Sequence, residues 1–310
     1  MRSKYPGVSI IGAGNVGSAV GHALAEKGYT ILSIISRSGR SALALAKDLK
    51  CKKASTVIED IPPATELLII AVPDGAITEV GKRLSASRVL KFPKVFAAHT
   101  SGVLTASVLE PIRKKGAIVA SMHPIQSFPY NARAKRISRL NGIYFGIEGK
   151  PEAIAKAREL VNNLGGKTVI VPSELKPLYH VTCVFASGYM VVLMNAISEL
   201  AHQLKLNAYW PEVFGPLMTT AMENTIKESA HEALTGPILR GDMATVEAHL
   251  LALANRAPQF LPLYTVGGIE VARIAKERGR VSQQEMDCII KRFKKFIGTT
   301  PLRITTKVKH

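Results

Sequence analysis

Two groups of residues in this chain have types and spacings suited to chemistry. The first is Gly12-Ala13-Gly14-Asn15-Val16-Gly17, a G-x-G-x-x-G run that follows an apolar stretch and opens an amphipathic one. Gly12 permits a tight turn, Gly14 lets backbone approach a diphosphate, and Gly17 lets a helix pack close on a strand. Asn15 and Val16 lie where the helix N-terminus offers free N–H groups and its positive dipole end to an anion. The alternative is a glycine-rich turn without a ligand. Some twenty residues on, where a carboxylate would bind ribose hydroxyls, the chain reads Ser36-Arg37-Ser38-Gly39-Arg40, and the first acid afterwards is Asp48. Arg37 and Arg40 suit a 2′-phosphate, with Ser36 and Ser38 as further donors, so the cofactor expected is NADP(H). Plain surface charge is the other reading of the two arginines. The second group is Lys176 and His180, one helical turn apart and therefore on one face, with Ser187 seven residues further on. A lysine beside a cofactor can give a proton to a developing alkoxide and stabilise its charge, and a histidine can orient or exchange protons. A surface lysine at a helix start, a hydrogen-bonded core histidine and a small-residue helix contact at Ser187 are the structural alternatives. Arg240, between Gly236 and Gly241, offers a planar fork for a carboxylate, in cis or from a second subunit, or an internal ion pair with Asp242 or Glu223. Asp242 itself suits a helix N-cap.

The elements that must carry these residues fall into two kinds. Up to Pro172 short apolar runs alternate with helical ones: strands at 8–11, 31–36, 67–72, 95–99, 118–122, 143–148 and 168–171, with helices at 18–27, 40–49 and 107–115, one after Pro73, and one opened by Pro151. That is the pattern of a mostly parallel, doubly wound α/β Rossmann sheet covered on both faces. Val72 and Pro73 end one strand beside the expected cofactor, and Asp74 can cap the following helix. His99, Thr100 and Ser101 end another, where hydroxyls could hold the nicotinamide ribose or substrate, whereas structural or cofactor-shaping roles suit His123 and Gln126. Beyond Pro172 everything reads as helix, at 174–204, 210–229, 243–254, 259–278 and 283–297, the last opening on the capping box Ser282-Gln283-Gln284-Glu285. The expected division is an NADP-binding domain over 1–172 and an all-helical substrate and dimerisation domain over 173–310.

Taken in order, the glycine loop, Ala71-Val72-Pro73-Asp74, His99-Thr100-Ser101-Gly102, Met122-His123-Pro124-Ile125-Gln126-Ser127-Phe128, Lys176-Pro177-Leu178-Tyr179-His180 and Thr235-Gly236-Pro237-Ile238-Leu239-Arg240-Gly241-Asp242 resemble bacterial proteins that join a Rossmann-like domain to a domain of unknown function, number 2520. That resemblance spans nearly the whole chain. It implies kinship with 6-phosphogluconate and β-hydroxyacid dehydrogenases, 2-dehydropantoate reductase and pyrroline-5-carboxylate reductase. It therefore implies an NADPH-dependent reductase of a small anionic keto acid, foremost 2-dehydropantoate, with Lys176 as proton donor. An imine reductase, a non-catalytic NADPH sensor and a deazaflavin-dependent reductase are the rivals. In the β-hydroxyacid relatives asparagine stands where this chain has His180, and the family pattern places asparagine after Ser187, where this chain has Gly188.

Composition narrows the classes further. The 310 residues hold 41 Lys and Arg against 23 Asp and Glu, a formal charge of +18 that attracts anions and keeps the chain soluble. No basic stripe interleaved with aromatics points to nucleic acid. Cys51, Cys183 and Cys288 have neither metal-ligand spacing nor the even count of a disulfide framework, and fit a reducing cytoplasm. The N-terminus has no secretory pattern. The run 178–197 is long and apolar enough for a membrane span, but its His180, Thr182, Ser187 and Asn195 favour a helix buried all round in protein. Covering it calls for a homodimer through the helical domain.

Overall fold

A computed structural model describes residues 5–88, 90–128 and 140–297. Eight strands form one sheet: β1 (Val8–Ile11), β2 (Ile31–Ile35), β3 (Ala54–Ser55), β4 (Leu67–Ile70), β5 (Phe96–His99), β6 (Ile118–Pro124), β7 (Tyr144–Gly149) and β8 (Lys167–Ile170). Between them run α1 (Asn15–Glu26), α2 (Gly39–Asp48), α3 (Asp74–Ser85), the single turn α4 (Glu110–Arg113) and α5 (Pro151–Asn163). The strand order is β3-β2-β1-β4-β5-β6-β7-β8, parallel throughout except for the antiparallel β6–β7 pair. The winding reverses between β1 and β4, so a crevice opens at their carboxyl ends, where doubly wound sheets bind ligands.

The central strands β1 and β4 are buried on both faces, as parallel strands under helices must be. Val8 and Ile10 pack with Leu24 and Leu45 in one core, while Ile11 and Ile70 pack with Ile77 and Leu109 in the other. A polar thread through the amino half of this sheet satisfies itself: Ser33 donates to Ser9 at 2.8 Å, and Ser9 bonds Thr65 at 2.8 Å.

The helical remainder comprises α6 (Lys176–Val184), a π-helical turn Phe185–Tyr189, α7 (Met190–Gln203), α8 (Trp210–Lys227), α9 (Ala230–Ala233), α10 (Met243–Arg256), α11 (Leu261–Glu277) and α12 (Gln283–Ile297). A separate core of Val246, Leu250, Leu261, Ile289 and Phe293 holds α10, α11 and α12 together. The capping box is realised, with Ser282 N–H on Glu285 Oε2 at 2.9 Å and Glu285 N–H on Ser282 Oγ at 3.2 Å.

Four expectations change. The chain turns from strands to helices after Pro172, yet its two compact units are Met1–Tyr189 and Met190–His310 rather than 1–172 and 173–310. The reason is that α6 is pinned to the sheet by Lys176, as described below. The helix expected at 107–115 is a 3₁₀ turn, Ala106–Leu109, followed by α4. Asp74 does not cap α3: Pro73 holds the cap position and Asp74 is the first helical residue, where its charge still favours the dipole. The run 178–197 is not buried all round. The helix Ser173–Gln203 has a mean hydropathy of 1.7 with only 6% of its apolar window buried, and by length and composition it could cross a membrane.

Candidate functional site

At the β1–β4 switch point the three glycines have distinct steric duties. Gly12 has φ +110°, and a Cβ there would stand 2.1 Å from the Ala71 carbonyl oxygen. A Cβ on Gly17 would stand 1.9 Å from the Gly12 oxygen, so α1 can meet the loop only as glycine. Gly14 has nothing within 4 Å of that position, which leaves its backbone open to a ligand. It is also the N-cap of α1, without a side-chain cap and with no acid in the first turn, so the N–H groups there keep their capacity for an anion. Asn15 turns its amide to the Phe128 carbonyl at 2.8 Å, and Val16 packs on the core.

A cavity of about 420 Å³ lies over this loop. Gly12, Gly14, Ser36, Arg37, Val72 and Pro73 line it as the sequence anticipates. Arg37 is exposed and lies at the end of β2. Ser38 instead caps α2, accepting from Ser41 N–H at 3.2 Å, and Arg40 is exposed on the first turn of α2 outside the lining. Ser41, Thr56 and Arg83 line the cavity without having been anticipated. Arg83 bonds Glu59 through one nitrogen at 2.9 and 3.1 Å, an exposed pair that leaves its other guanidinium donors available.

His99 and Ser101 are drawn inward instead. His99 is fully buried; its Nε2 donates to the Thr105 carbonyl at 3.0 Å and its Nδ1 accepts from Ser101 N–H at 3.3 Å. A carbonyl can only accept and an amide can only donate, so the ring is the neutral Nε2–H tautomer. Burial holds its pKa down to about 4. The Ser101 hydroxyl accepts from Val103 and Leu104 N–H at 3.3 and 3.0 Å. These residues shape the loop after β5 and leave neither ring nitrogen for a cofactor.

A second cluster gathers on one face of the β6–β7 pair. Ser121 and His123 are two apart on β6, so they share a face; opposite them stand Glu148 and Gly146. The first turn of α6 lies on this face. Lys176 is fully buried, donating to Ser121 Oγ at 2.7 Å and to the Ser101 carbonyl at 3.2 Å. Burial lowers its pKa to about 8, with Glu148, Asp74 and Cys183 pulling the other way. The Tyr179 hydroxyl stands 2.7 Å from His123 Nδ1, and its ring lies 5.6 Å from Lys176 Nζ. Burial raises the Tyr179 pKa, and burial together with Lys176 and His180 lowers that of His123 to about 4. A tyrosine that keeps its proton can donate it to a neutral imidazole. His180 stands edge-on to His123 at 5.9 Å.

Two glycines make room for this cluster. A Cβ on Gly146 would stand 2.2 Å from the Tyr179 hydroxyl, and one on Gly102 would stand 2.4 Å from His180. The cluster thus joins Lys176 and His180 and adds Ser121, His123, Tyr179 and Glu148. Only small or polar residues interrupting buried strands signal the additions on the sheet. Tyr179 had no more than its place three residues after Lys176.

Ser187 does not join it. Its hydroxyl bonds the Cys183 carbonyl at 2.7 Å within the π-helical turn, and the wider turn breaks the two-turn register with His180. Arg240 belongs to the second unit, exposed in the turn before α10. Asp242 caps α10, accepting from Thr245 N–H at 3.0 Å, and Glu223 pairs with Lys227 at 3.7 Å. Among the described residues no group of three or more His, Cys, Asp or Glu could hold a metal.

Comparison with known proteins places the two halves. Residues 1–124 match the Rossmann-like domain, and residues 143–270 match Domain of unknown function (DUF2520). A candidate NADP oxidoreductase from Bacteroides fragilis has a similar structure, with TM-score 0.71 and 24% identity over 86% of this chain and 97% of that one. Protein TM1727 from Thermotoga maritima gives 0.64 and 26% over 87% and 99%. A pyrroline-5-carboxylate reductase from Coxiella burnetii gives 0.54 and 14% over 93% and 97%. No curated protein matches the chain in sequence.

Proposed function

We propose that this chain, a Rossmann-like domain followed by a DUF2520 domain, is an NADPH-dependent reductase of a small anionic carbonyl compound. The observation that carries the reading is the cavity at the β1–β4 switch point, floored by an open glycine loop and walled by Arg37 with no acid at the end of β2. The diphosphate suits Gly12, Gly14 and the N-terminus of α1, and a 2′-phosphate suits Arg37, with Arg83, Ser41 and Thr56 in reach of the same cavity. A bound dihydronicotinamide would supply the hydride. The name of the B. fragilis relative supports the NADP choice.

Lys176 remains the leading proton donor. An ammonium has three N–H bonds; two are used on Ser121 and Ser101, leaving one for an oxygen that gains charge. With a pKa near 8 it is mostly protonated at neutral pH yet gives up its proton more readily than a solvated lysine. Because the side chain is closed off from water, substrate must reach it by displacing its cover, and the half-buried His123, Tyr179 and His180 are the groups in that cover. His180 takes the role of orienting substrate. Among keto acids 2-dehydropantoate is the first to test. Reduction of a cyclic imine is the second reading, favoured by the likeness in fold to pyrroline-5-carboxylate reductase. Arg240, a carboxylate anchor in this proposal, acts in cis or from a second copy. The partner proposed is that second copy, with neither nucleic acid nor membrane, and three free thiols suit a cytoplasmic setting.

Loss of NADPH absorbance with a panel of keto acids and cyclic imines tests the reading. Turnover of a keto acid supports it, turnover of imines alone selects the second reading, and tight NADPH binding without turnover selects a sensor. Arg37→Ala should weaken NADPH by about tenfold or more and leave NADH nearly unchanged, as loss of a charge-assisted bond to phosphate requires. Absence of any dinucleotide binding would remove the proposal altogether.

A further inference from the structure

We propose that Glu148 is the positioning residue of the Lys176 site: its buried carboxylate is the counter-charge to the ammonium and ties the start of α6 to the loop after β5. Four observations place it there. Glu148 is 6% exposed, and among the described residues it makes no ion pair within 4.0 Å. Its Oε2 accepts from Ala106 N–H at 2.6 Å, just beyond the loop shaped by His99 and Ser101. Its Oε1 accepts from Ser173 Oγ at 2.8 Å, in the turn that leads into α6. In the antiparallel β6–β7 register it stands directly opposite Ser121, whose hydroxyl accepts from Lys176 Nζ at 2.7 Å. Directly opposed side chains lie on one face with Cβ atoms about 5 Å apart. The ammonium and the carboxylate therefore sit over the same pair of residues.

Charge arithmetic completes the argument. A buried carboxylate held only by neutral donors is costly, and so is a buried ammonium held only by a hydroxyl and a carbonyl; together each offsets the other. The groups facing Lys176 are His99 at the end of β5, His123 on β6, Glu148 on β7, Asp74 on α3, and Tyr179 and Cys183 on α6, with His180 beside His123. Glu148 leads those that favour the charged lysine, ahead of Asp74 and Cys183. With Glu148 in place, burial leaves Lys176 mostly charged and able to act as an acid at neutral pH; without it, the same burial would lower the charged fraction there. The functional meaning rests on Lys176 as proton donor, whereas the positioning role is a matter of structure and can be measured without substrate.

The experiment is a pH titration of the full chain by NMR, following ¹³Cε of lysine, with Lys176→Arg to assign the signal. In Glu148→Gln, which keeps the shape and an acceptor, the Lys176 midpoint should fall by about one unit or more, a tenfold loss of ammonium well above the original midpoint. Ser173→Ala removes a hydrogen bond but no charge and should move the midpoint by less than about half as much. An unmoved midpoint in Glu148→Gln, or an equal shift in Ser173→Ala, overturns the proposal. Should Glu148→Gln fail to fold, the unaltered protein decides: ¹³Cδ of Glu148 should inflect at the Lys176 midpoint, and its failure to do so overturns the proposal equally. NADPH binding followed separately by fluorescence reports on the reductase reading, so the two can fail independently.

Discussion

At the scale of single residues, burial and charge make the site sensitive to pH in opposite ranges. The fully buried Lys176 has its folded pKa lowered from 10.5 to about 8. Between those values the unfolded chain binds a proton that the folded chain does not, so Lys176 makes stability rise with pH, by roughly 3 kcal/mol if the whole window were open. Tyr179, raised by burial, acts oppositely above pH 10, and Cys51, also raised by burial, does so above pH 9, so the clean range is pH 8 to 9. Lys176→Met should flatten the chemical-denaturation stability curve there, and an unchanged slope would contradict the burial of this ammonium. His99 works at the acid end. Its folded pKa near 4 lies below the usual 6.5, so stability is lost as pH falls from 6.5 towards 4, by about 3 kcal/mol for a complete shift. His99→Asn, with an amide to bond the same carbonyl, should make the fold less acid-sensitive across that range. Lys176 and His180 were legible because four-residue spacing on a helix has one geometric meaning. Glu148, Ser121 and Tyr179 were not, because their meaning depends on which strands pair and on which helix lies over them. The inward turn of His99 and Ser101 was not legible for a related reason: a strand end can turn its side chains inward to shape a loop as readily as towards a ligand.

At the scale of elements, the glycine loop was the most legible feature, since its three glycines sit where a strand gives way to a helix and each answers a steric demand. Those demands differ, and so do the expected effects of alanine. Gly17→Ala puts a methyl group 1.9 Å from the Gly12 oxygen, which α1 can relieve only by moving off the loop. It should lower Tm and NADPH affinity together. Gly14→Ala meets nothing within 4 Å, so Tm should change little while NADPH binding falls by tenfold or more, the methyl occupying the approach to the diphosphate. Calorimetry and fluorescence titration on the two variants check this; intact NADPH affinity in Gly14→Ala would mean that the loop does not hold a diphosphate. The alternation of apolar runs also conveyed the doubly wound sheet and the change to helices after Pro172. The two-residue β3 and the π-helical turn escaped, because neither has a period long enough to read in a sequence. That turn matters for the site, since it is what carries Ser187 out of register with His180.

At the scale of the whole molecule, the apolar helix and the net charge pull in opposite directions. Leu178, Phe185 and Val191 are 64, 60 and 65% exposed in the single chain, and Val181, Val184, Tyr189, Val192, Leu193 and Met194 are also exposed. Covering these nine side chains, each already partly buried, yields about 1 kcal/mol apiece, and a two-fold interface counts them twice, giving roughly 18 kcal/mol. Association costs on the order of 4–15 kcal/mol, and a micromolar dimer needs a net of about 8 kcal/mol, so a second copy of this chain suffices as cover where that cost is about 10 kcal/mol or less. The +18 charge on each copy opposes the approach. Added salt screens that repulsion without weakening the apolar contact, so the dimer should tighten with ionic strength, whereas binding driven by attraction to nucleic acid would weaken. Light scattering at micromolar concentration should give twice the chain mass, rising towards complete dimer between low and moderate salt. Leu178→Glu with Val191→Glu should return it to one chain mass. A monomer at every salt concentration, or transfer of the unaltered protein onto phospholipid vesicles under the same conditions, would show that something other than its own copy covers this helix.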